Sequence, residues 1–247
     1  MDEIRLGGAQ KKPAPIPPNE PQRLAALREY RILDSAPEQA YDDIATLAAS
    51  VCHVPIALVS LVDQSRQWFK SKVGLQQTET DRDVAFCAHA ILKPEPLIVS
   101  DAQKDQRFAD NELVIKTPHI RFYAGFPLFT PEGLALGTLC AMDRKPHRLG
   151  VEQTRAMLAL SRQVMALLEL RRVSAQLADA LEHVKALHGL LPICAWCKRV
   201  RDDAGYWSQV EAYIQANSDA TVTSGICPEC LKELRPEAAP TNNVRGS

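Results

Sequence analysis

Apolar positions fall at helical spacing near the start of the chain, switch to strand-like runs in its middle, and return to helical spacing from Val151 onward. In the segment 20–33, Leu24, Leu27, Ile32 and Leu33 share one stripe, and Pro21 stands near a first-turn position, where its missing N–H costs nothing. A second amphipathic helix is predicted over Ala40–Val51, with Tyr41, Ile44, Leu47 and Ala48 on its apolar face. Between Pro55 and Met142 the runs are rich in β-branched and aromatic residues and bounded by turn signals. Segments 55–63 and 67–74 read as a hairpin across the polar turn Asp63–Arg66, 97–101 as a short strand, and 122–129 with 134–142 as a second hairpin across Thr130–Gly133. Short helices are expected at Val84–Leu92 and Asn111–Ile115. Strands mixed with helices that open and close the domain predict an α/β or α+β sandwich on an antiparallel sheet.

From Val151 to about Leu190 the chain holds no proline, so one helix of about 38 residues, roughly 57 Å long, is predicted. Its second half places Leu170, Val173, Leu177, Ala180, Val184 and Leu187 at alternating steps of three and four, the seam of a coiled coil and hence of a homodimer. The first half, with Met157, Leu160, Val164 and Leu167, runs in a different phase, as expected where a helix leaves its own domain and enters a coil.

Composition then narrows the class. Charged residues make up 24% and the formal net charge is -1, so no overall field favours nucleic acid or an anionic membrane. No stretch approaches the roughly 20 apolar residues of a membrane span, and residues 1–20 lack a secretory pattern, so a cytoplasmic location is expected. That segment, with Gly7, Gly8, Pro13, Pro15, Pro17 and Pro18, reads as a disordered tail, as does 236–247. The expected organisation is a sensor-sized domain over 21–150, a connecting helix over 151–190 and a cysteine-bearing module over 191–235.

Of seven cysteines, four form the pairs Cys194/Cys197 and Cys227/Cys230, separated by 29 residues. Two such turns present four thiolates to one point, which suits the tetrahedral preference of zinc in a closed structural site. Between the pairs, Lys198–Trp207 reads as a hairpin around Asp202, Asp203, Ala204 and Gly205, and Ser208–Asn217 as a helix. The residues after Cys227 favour helix, which would set the second pair at a helix start. The arrangement resembles a treble-clef or ribbon zinc module, and a segment of about 45 residues has too little core to fold by burial alone. The same ligands could hold iron, and a thioredoxin-like relay would need a βαβ pattern that the flanks lack. The spacing of neither pair suits a c-type haem, because Lys198 and Leu231 occupy the position where His would follow.

Several motifs recur together in one order. They are the opening segment 20–49, the run Gln67 to Ser71, Phe86-Cys87-Ala88-His89, Asp101-Ala102, Arg107 to Asn111, Arg121 to Gly125, and Gly137 to Cys140. With these, 19–143 resembles the GAF domains at the front of bacterial histidine kinases and diguanylate cyclases. The resemblance implies an antiparallel sheet of five or six strands with flanking helices, a pocket on one face and dimerisation through terminal helices. It nominates Phe86, Cys87, His89, Asp101, Arg107, Arg121 and Tyr123 for a small ligand, with Cys140 beside them; Arg121, Tyr123 and Asp101 could grip a polar or anionic group. Cys87 and Cys140 also read as buried core, and the Arg121–Asp101 pair as a structural ion pair. With no kinase or GGDEF-like motif in the sequence, the expected function is a non-enzymatic sensor that responds to a small ligand or redox input and signals through a dimeric helix and the zinc module to a protein partner. Alternatives are a DNA-associated transcriptional regulator using Lys198, Arg199 and Arg201, weakened by the adjacent Asp202 and Asp203, and a GAF-type methionine sulfoxide reductase.

Overall fold

A computed structural model describes residues 12–188, 192–202, 204–217, 221–223 and 225–234; for 182–188, 217, 232 and 234 it describes the backbone alone. Contacts divide the chain into two units, Met1–Ala178 and Asp179–Ser247.

The first unit is built on a six-stranded antiparallel sheet of order β3-β2-β1-β6-β5-β4. Its strands are β1 (Ile56–Val62), β2 (Arg66–Val73), β3 (Glu79–Asp81), β4 (Leu97–Val99), β5 (Phe122–Phe129) and β6 (Ala135–Asp143). Both predicted hairpins form, and they meet at the centre of the sheet, where Leu58 pairs with Cys140 and Val59 with Leu139. Strand β3, Glu-Thr-Asp, has no apolar alternation and escaped the sequence reading; it is held by pairing with Arg66–Trp68.

Because side chains alternate across a strand, the central strands serve two cores at once. On one face Ala57, Val59, Phe122, Ala124, Leu139 and Ala141 join residues of α1 (Glu20–Glu29), α2 (Gln39–Cys52) and the long helix α5 (Val151–His188). On the other, Ile56, Leu58, Tyr123, Cys140 and Met142 pack with α3 (Phe86–Ala90), Phe108 and Val114 of α4 (Glu112–Ile115). Asn111 caps α4, its side chain accepting from Leu113 N–H at 2.8 Å.

Helix α2 buries Tyr41, Ile44, Ala45, Ala48, Ala49 and Cys52, while Leu47 is 51% exposed, so its apolar face is rotated from the expected one. On α5 the buried set is Met157, Ser161, Val164 and Leu168; Leu160 and Leu167, expected with Met157 and Val164 in the stripe of the first half, flank it. Ser161 is buried with them, and its hydroxyl donates back to the Leu158 carbonyl at 3.0 Å. Past that contact Leu170, Val173, Leu177 and Leu181 are each more than half exposed. Val184, Leu187 and Gly189 lie outside what is described of side chains or backbone, as do residues 1–11 and 235–247 of the expected tails. Residues 12–19 differ from a free tail: Lys12 Nζ donates to the Gln106 carbonyl at 3.1 Å, Ala14 packs on the second core and Pro17 is buried.

Two ionic clusters tie the helices to the sheet. Arg23, 1% exposed, forms a bidentate pair with Glu20 and donates to the Val62 carbonyl at 2.7 Å, while Arg82 reaches the same carboxylate at 2.5 Å. Lys70, at a bulge in β2, donates to Ser35 Oγ, the Ala36 carbonyl and Glu38. Glu38 also receives Arg171 of α5, and Tyr30 bonds Glu169, so the loops around α1 and α2 grip the long helix.

In the second unit, β7 (Val200–Arg201) and β8 (Trp207–Ser208) form the expected hairpin, followed by α6 (Val210–Asn217) and α7 (Pro228–Leu234). Among its described residues only Val200 is a buried hydrophobic, whereas Trp196, Tyr206 and Ile226 are 94%, 73% and 63% exposed. Among the described residues, no helix is long and apolar enough to cross a membrane.

Candidate functional site

A cavity of about 70 Å³ opens on the sheet face away from α5. Its wall is largely apolar, from Leu58, Phe69, Phe86, Ile120 and Met142, and Cys87 and Tyr123 are also in its lining. Exposed Gln77 and Thr117 are also in its lining and connect it with the surface. In volume it suits a molecule of a few heavy atoms and is far below the roughly 300 Å³ at which drug-sized pockets begin.

The polar detail lies around one sulfur. Cys87 Sγ accepts from Thr138 Oγ1 at 3.0 Å, Ser60 Oγ at 3.2 Å and Tyr123 Oη at 3.2 Å, and it lies 3.9 Å from Cys140 Sγ. All five side chains are buried. Tyr123 reaches the sulfur by lying along the sheet over Gly125, where a Cβ would stand 2.1 Å from its phenolic oxygen; glycine at 125 makes the contact feasible. Burial opposes a thiolate at Cys87, but hydrogen bonds from Cys140, Ser60, Thr138 and Tyr123 outweigh it and pull its pKa down. Cys140, sharing a hydrogen bond with Cys87 and buried beside it, is pushed up. Burial, followed by the neighbouring Cys87, raises Tyr123 as well, which keeps the phenol a donor. In the same lining, Thr80 Oγ1 is a buried polar atom without a partner among the described residues, an opening for a polar group of a ligand.

The seven nominated ligand residues do not form one site. Phe86, Cys87 and Tyr123 line this cavity, with Phe86 stacked on Phe108 at 4.2 Å and on Tyr123 at 5.0 Å. His89 and Arg107 stand at a separate surface groove beside Pro15, where burial and then the Arg107 charge lower the imidazole pKa. Arg107 is engaged by Asp105 at 2.6 Å, and His89 packs edge-on against Phe108. Asp101 and Arg121 form a bidentate pair at 2.8 and 2.9 Å that joins the loop after β4 to the start of β5, and Arg121 does not reach the cavity with Tyr123. Their mutual pairing satisfies both groups and removes the expected polar grip. Sequence reasoning missed Ser60, Thr138 and Thr80; the signal for the first was a serine inside the otherwise apolar run of β1, and for the second its two-residue spacing from Cys140.

In the second unit, Cys197 N–H donates to Cys194 Sγ and Cys230 N–H to Cys227 Sγ, each at 3.5 Å. These amides lower the pKa of Cys194 and Cys227. Among the described residues no three His, Cys, Asp or Glu side chains converge as a metal cage. Each turn by itself has its amide aimed at the first sulfur, and the weak core of this unit is compatible with a need for a further cross-link.

A protein named cyclic di-GMP phosphodiesterase from Pseudomonas aeruginosa is 43% identical over 153 residues, 62% of this chain and 26% of its own length. This chain therefore spans about a quarter of that relative. Its name overturns the expectation of a protein without enzymatic activity, which is withdrawn. Similar solved structures include the GAF domain of a phosphoenolpyruvate-protein phosphotransferase from Coxiella burnetii, 15% identical with a TM-score of 0.49, covering 62% of this chain and 96% of that one. A type II free methionine-R-sulfoxide reductase from Thermoplasma acidophilum is 12% identical with a TM-score of 0.41, covering 52% and 94%. The GAF domain family profile matches residues 36–183, more than half the chain, and with the six-stranded antiparallel sheet flanked by helices, the chain belongs to the GAF family.

Proposed function

We propose that the chain is a signalling module in which a small molecule enters the cavity at Cys87 and the response crosses the sheet to α5. The observation that carries this reading is the alternation of the central strands. Leu58 and Tyr123 face the cavity and Cys140 backs it, while their neighbours Val59, Phe122, Leu139 and Ala141 pack in the core that holds Met157, Val164 and Leu168 of α5. A displacement on one side is thus felt on the other, because packed cores have little slack. The exposed stripe Leu170, Val173 and Leu177 would then pair with the same stripe of a second copy, which its three-and-four spacing suits. In the second unit, Cys194, Cys197, Cys227 and Cys230 would hold one structural zinc ion, a tetrahedral cross-link with no open position. The module would present a surface to a protein partner. The relative's name supports a further role for such a sensor in controlling cyclic di-GMP hydrolysis.

Methyl methanethiosulfonate, a small thiol reagent, serves as the probe. It is expected to label Cys87 in the full chain and to change amide hydrogen exchange along α5, and Gln77→Trp at the rim is expected to slow the labelling without altering thermal unfolding. Cyclic di-GMP hydrolysis is followed in the same samples. Labelling of Cys87 that leaves α5 exchange unchanged would refute transmission across the sheet.

A further inference from the structure

The surroundings of Cys87 are more specific than a binding cavity requires. A neutral thiol is a weak acceptor, yet three hydroxyl donors converge on this sulfur inside a core, an arrangement that suits a thiolate. The two sulfurs are also placed unequally. Cys87 lines the cavity, whereas Cys140 lies behind it, fully buried and 3.9 Å away. Of the two sulfurs, the one in the cavity lining, together with Gln77 and Thr117 at the surface, is Cys87. Thr80 Oγ1, unpartnered in the same wall, is free to hold one oxygen of a small polar molecule. Cys52 is a natural contrast: buried alone in the other core, it is pushed up by burial to about 11 and has no partner sulfur.

We propose that Cys87 and Cys140 form a peroxide-responsive dithiol, with Cys87 as the attacking sulfur and Cys140 as the resolving one. This rests on the reading of the cavity as the input site. The Cys87 thiolate attacks one oxygen of a small hydroperoxide; the O–O bond breaks, and the alkoxide or hydroxide leaves and takes a proton. Cys87 becomes a sulfenic acid. Cys140, as thiolate, then attacks Cys87 Sγ, the S–S bond forms, and hydroxide departs with the Cys140 proton as water. In sum one hydroperoxide and two thiols give one disulfide, one alcohol or water and one further water, the two thiols supplying both electrons. The sulfurs must close from 3.9 Å to about 2.05 Å, a movement divided between the five-residue helix α3 and strand β6. Movement of β6 at Cys140 displaces Leu139 and Ala141, which lie in the core shared with α5.

The reduced full chain is treated with one equivalent of hydrogen peroxide, remaining thiols are blocked in denaturant, and the cysteines are mapped by peptide mass. The expected product is a Cys87–Cys140 linked peptide, formed at least about tenfold faster than any oxidation of Cys52. Cys140→Ser is expected to accumulate a Cys87 sulfenic acid that a cyclic 1,3-dione traps, and Cys87→Ser to leave Cys140 as a thiol. Recovery of Cys87 and Cys140 as free thiols in the wild-type chain, or oxidation of Cys87 no faster than Cys52, overturns the proposal; the wild-type map decides this even if a variant fails to fold. The failures remain distinguishable. Methanethiosulfonate labelling that shifts α5 exchange, with no disulfide from peroxide, removes the dithiol and keeps the sensor, whereas a disulfide that leaves α5 exchange unchanged keeps the dithiol and removes the transmission.

Discussion

Glu20 holds two guanidinium groups on one carboxylate at the junction of α1 with β1 and the turn after β3. Burial alone pushes its pKa up, but hydrogen bonds and charge from Arg23 and Arg82 outweigh it and hold the carboxyl at about 2 against an ordinary 4.5. The unfolded chain therefore takes up this proton at higher pH than the folded one. The resulting stability, on the order of 3 kcal/mol, is complete above about pH 4.5 and is lost as pH falls towards 2. Glu20→Gln is expected to cost about that much at pH 7 by urea unfolding, with the deficit shrinking at pH 3; an equal deficit at both would contradict a role for the charge. At this scale the sequence was half legible. Phe86, Cys87 and Tyr123 stood out as motif residues, and the Asp101–Arg121 ion pair was one of two readings open for those residues; the sequence could not choose between it and a ligand grip, because the two are 20 positions apart and meet only through the fold. Likewise the partners of Cys87 come from three strands, and no local spacing joins Ser60 to Thr138.

Helix α5 changes allegiance along its length. Met157, Ser161, Val164 and Leu168 face the sheet, and the next apolar residues on the chain, Leu170, Val173 and Leu177, are left in solvent. If a second copy covers them, Leu177→Glu places two like charges in one seam and is expected to reduce the solution mass to the 27.3 kDa of a single chain in analytical ultracentrifugation, with unfolding of the sheet domain unchanged. A wild-type chain already at that mass would exclude the seam. The helix was readable from its period, since 3.6-residue spacing and freedom from proline are local facts. Its buried phase was not, since Ser161 rather than Leu160 is the more buried, a choice made by tertiary packing and not by local hydropathy. Strand β3 was missed for a related reason: three polar residues at a sheet edge bury no alternating face and form only by pairing with β2.

At the scale of the whole molecule, the two units differ in how much apolar surface they cover. The first has two cores on a shared sheet, and the second, among its described residues, buries the side chain of Val200 and exposes Trp196, Tyr206 and Ile226. A segment so poorly buried depends on cross-links, and structural zinc in small peptides contributes about 10 to 16 kcal/mol at neutral pH. Chelation is expected to abolish amide protection in 192–234 while leaving the unfolding midpoint of the first unit unchanged; retained protection in a metal-free chain would refute the zinc site. The sequence suggested a domain, a helix and a cysteine module because composition and periodicity change sharply there, whereas the contacts give two units that meet inside α5, at Ala178 and Asp179. The identity of the input was not, since a cavity of about 70 Å³ is made by residues from six separated segments.

The pairing of β1 with β6 at the middle of the sheet has a consequence for how the molecule comes into being. Ile56 must find Met142, so the hairpin β1–β2 emerges from the ribosome long before its neighbour exists. Until residue 143 is made, the most apolar strand of the chain has one bare edge, open to any extended peptide nearby. Closure over so long a loop is slow compared with helix formation, and nascent chains caught in that interval are the ones expected to need chaperones.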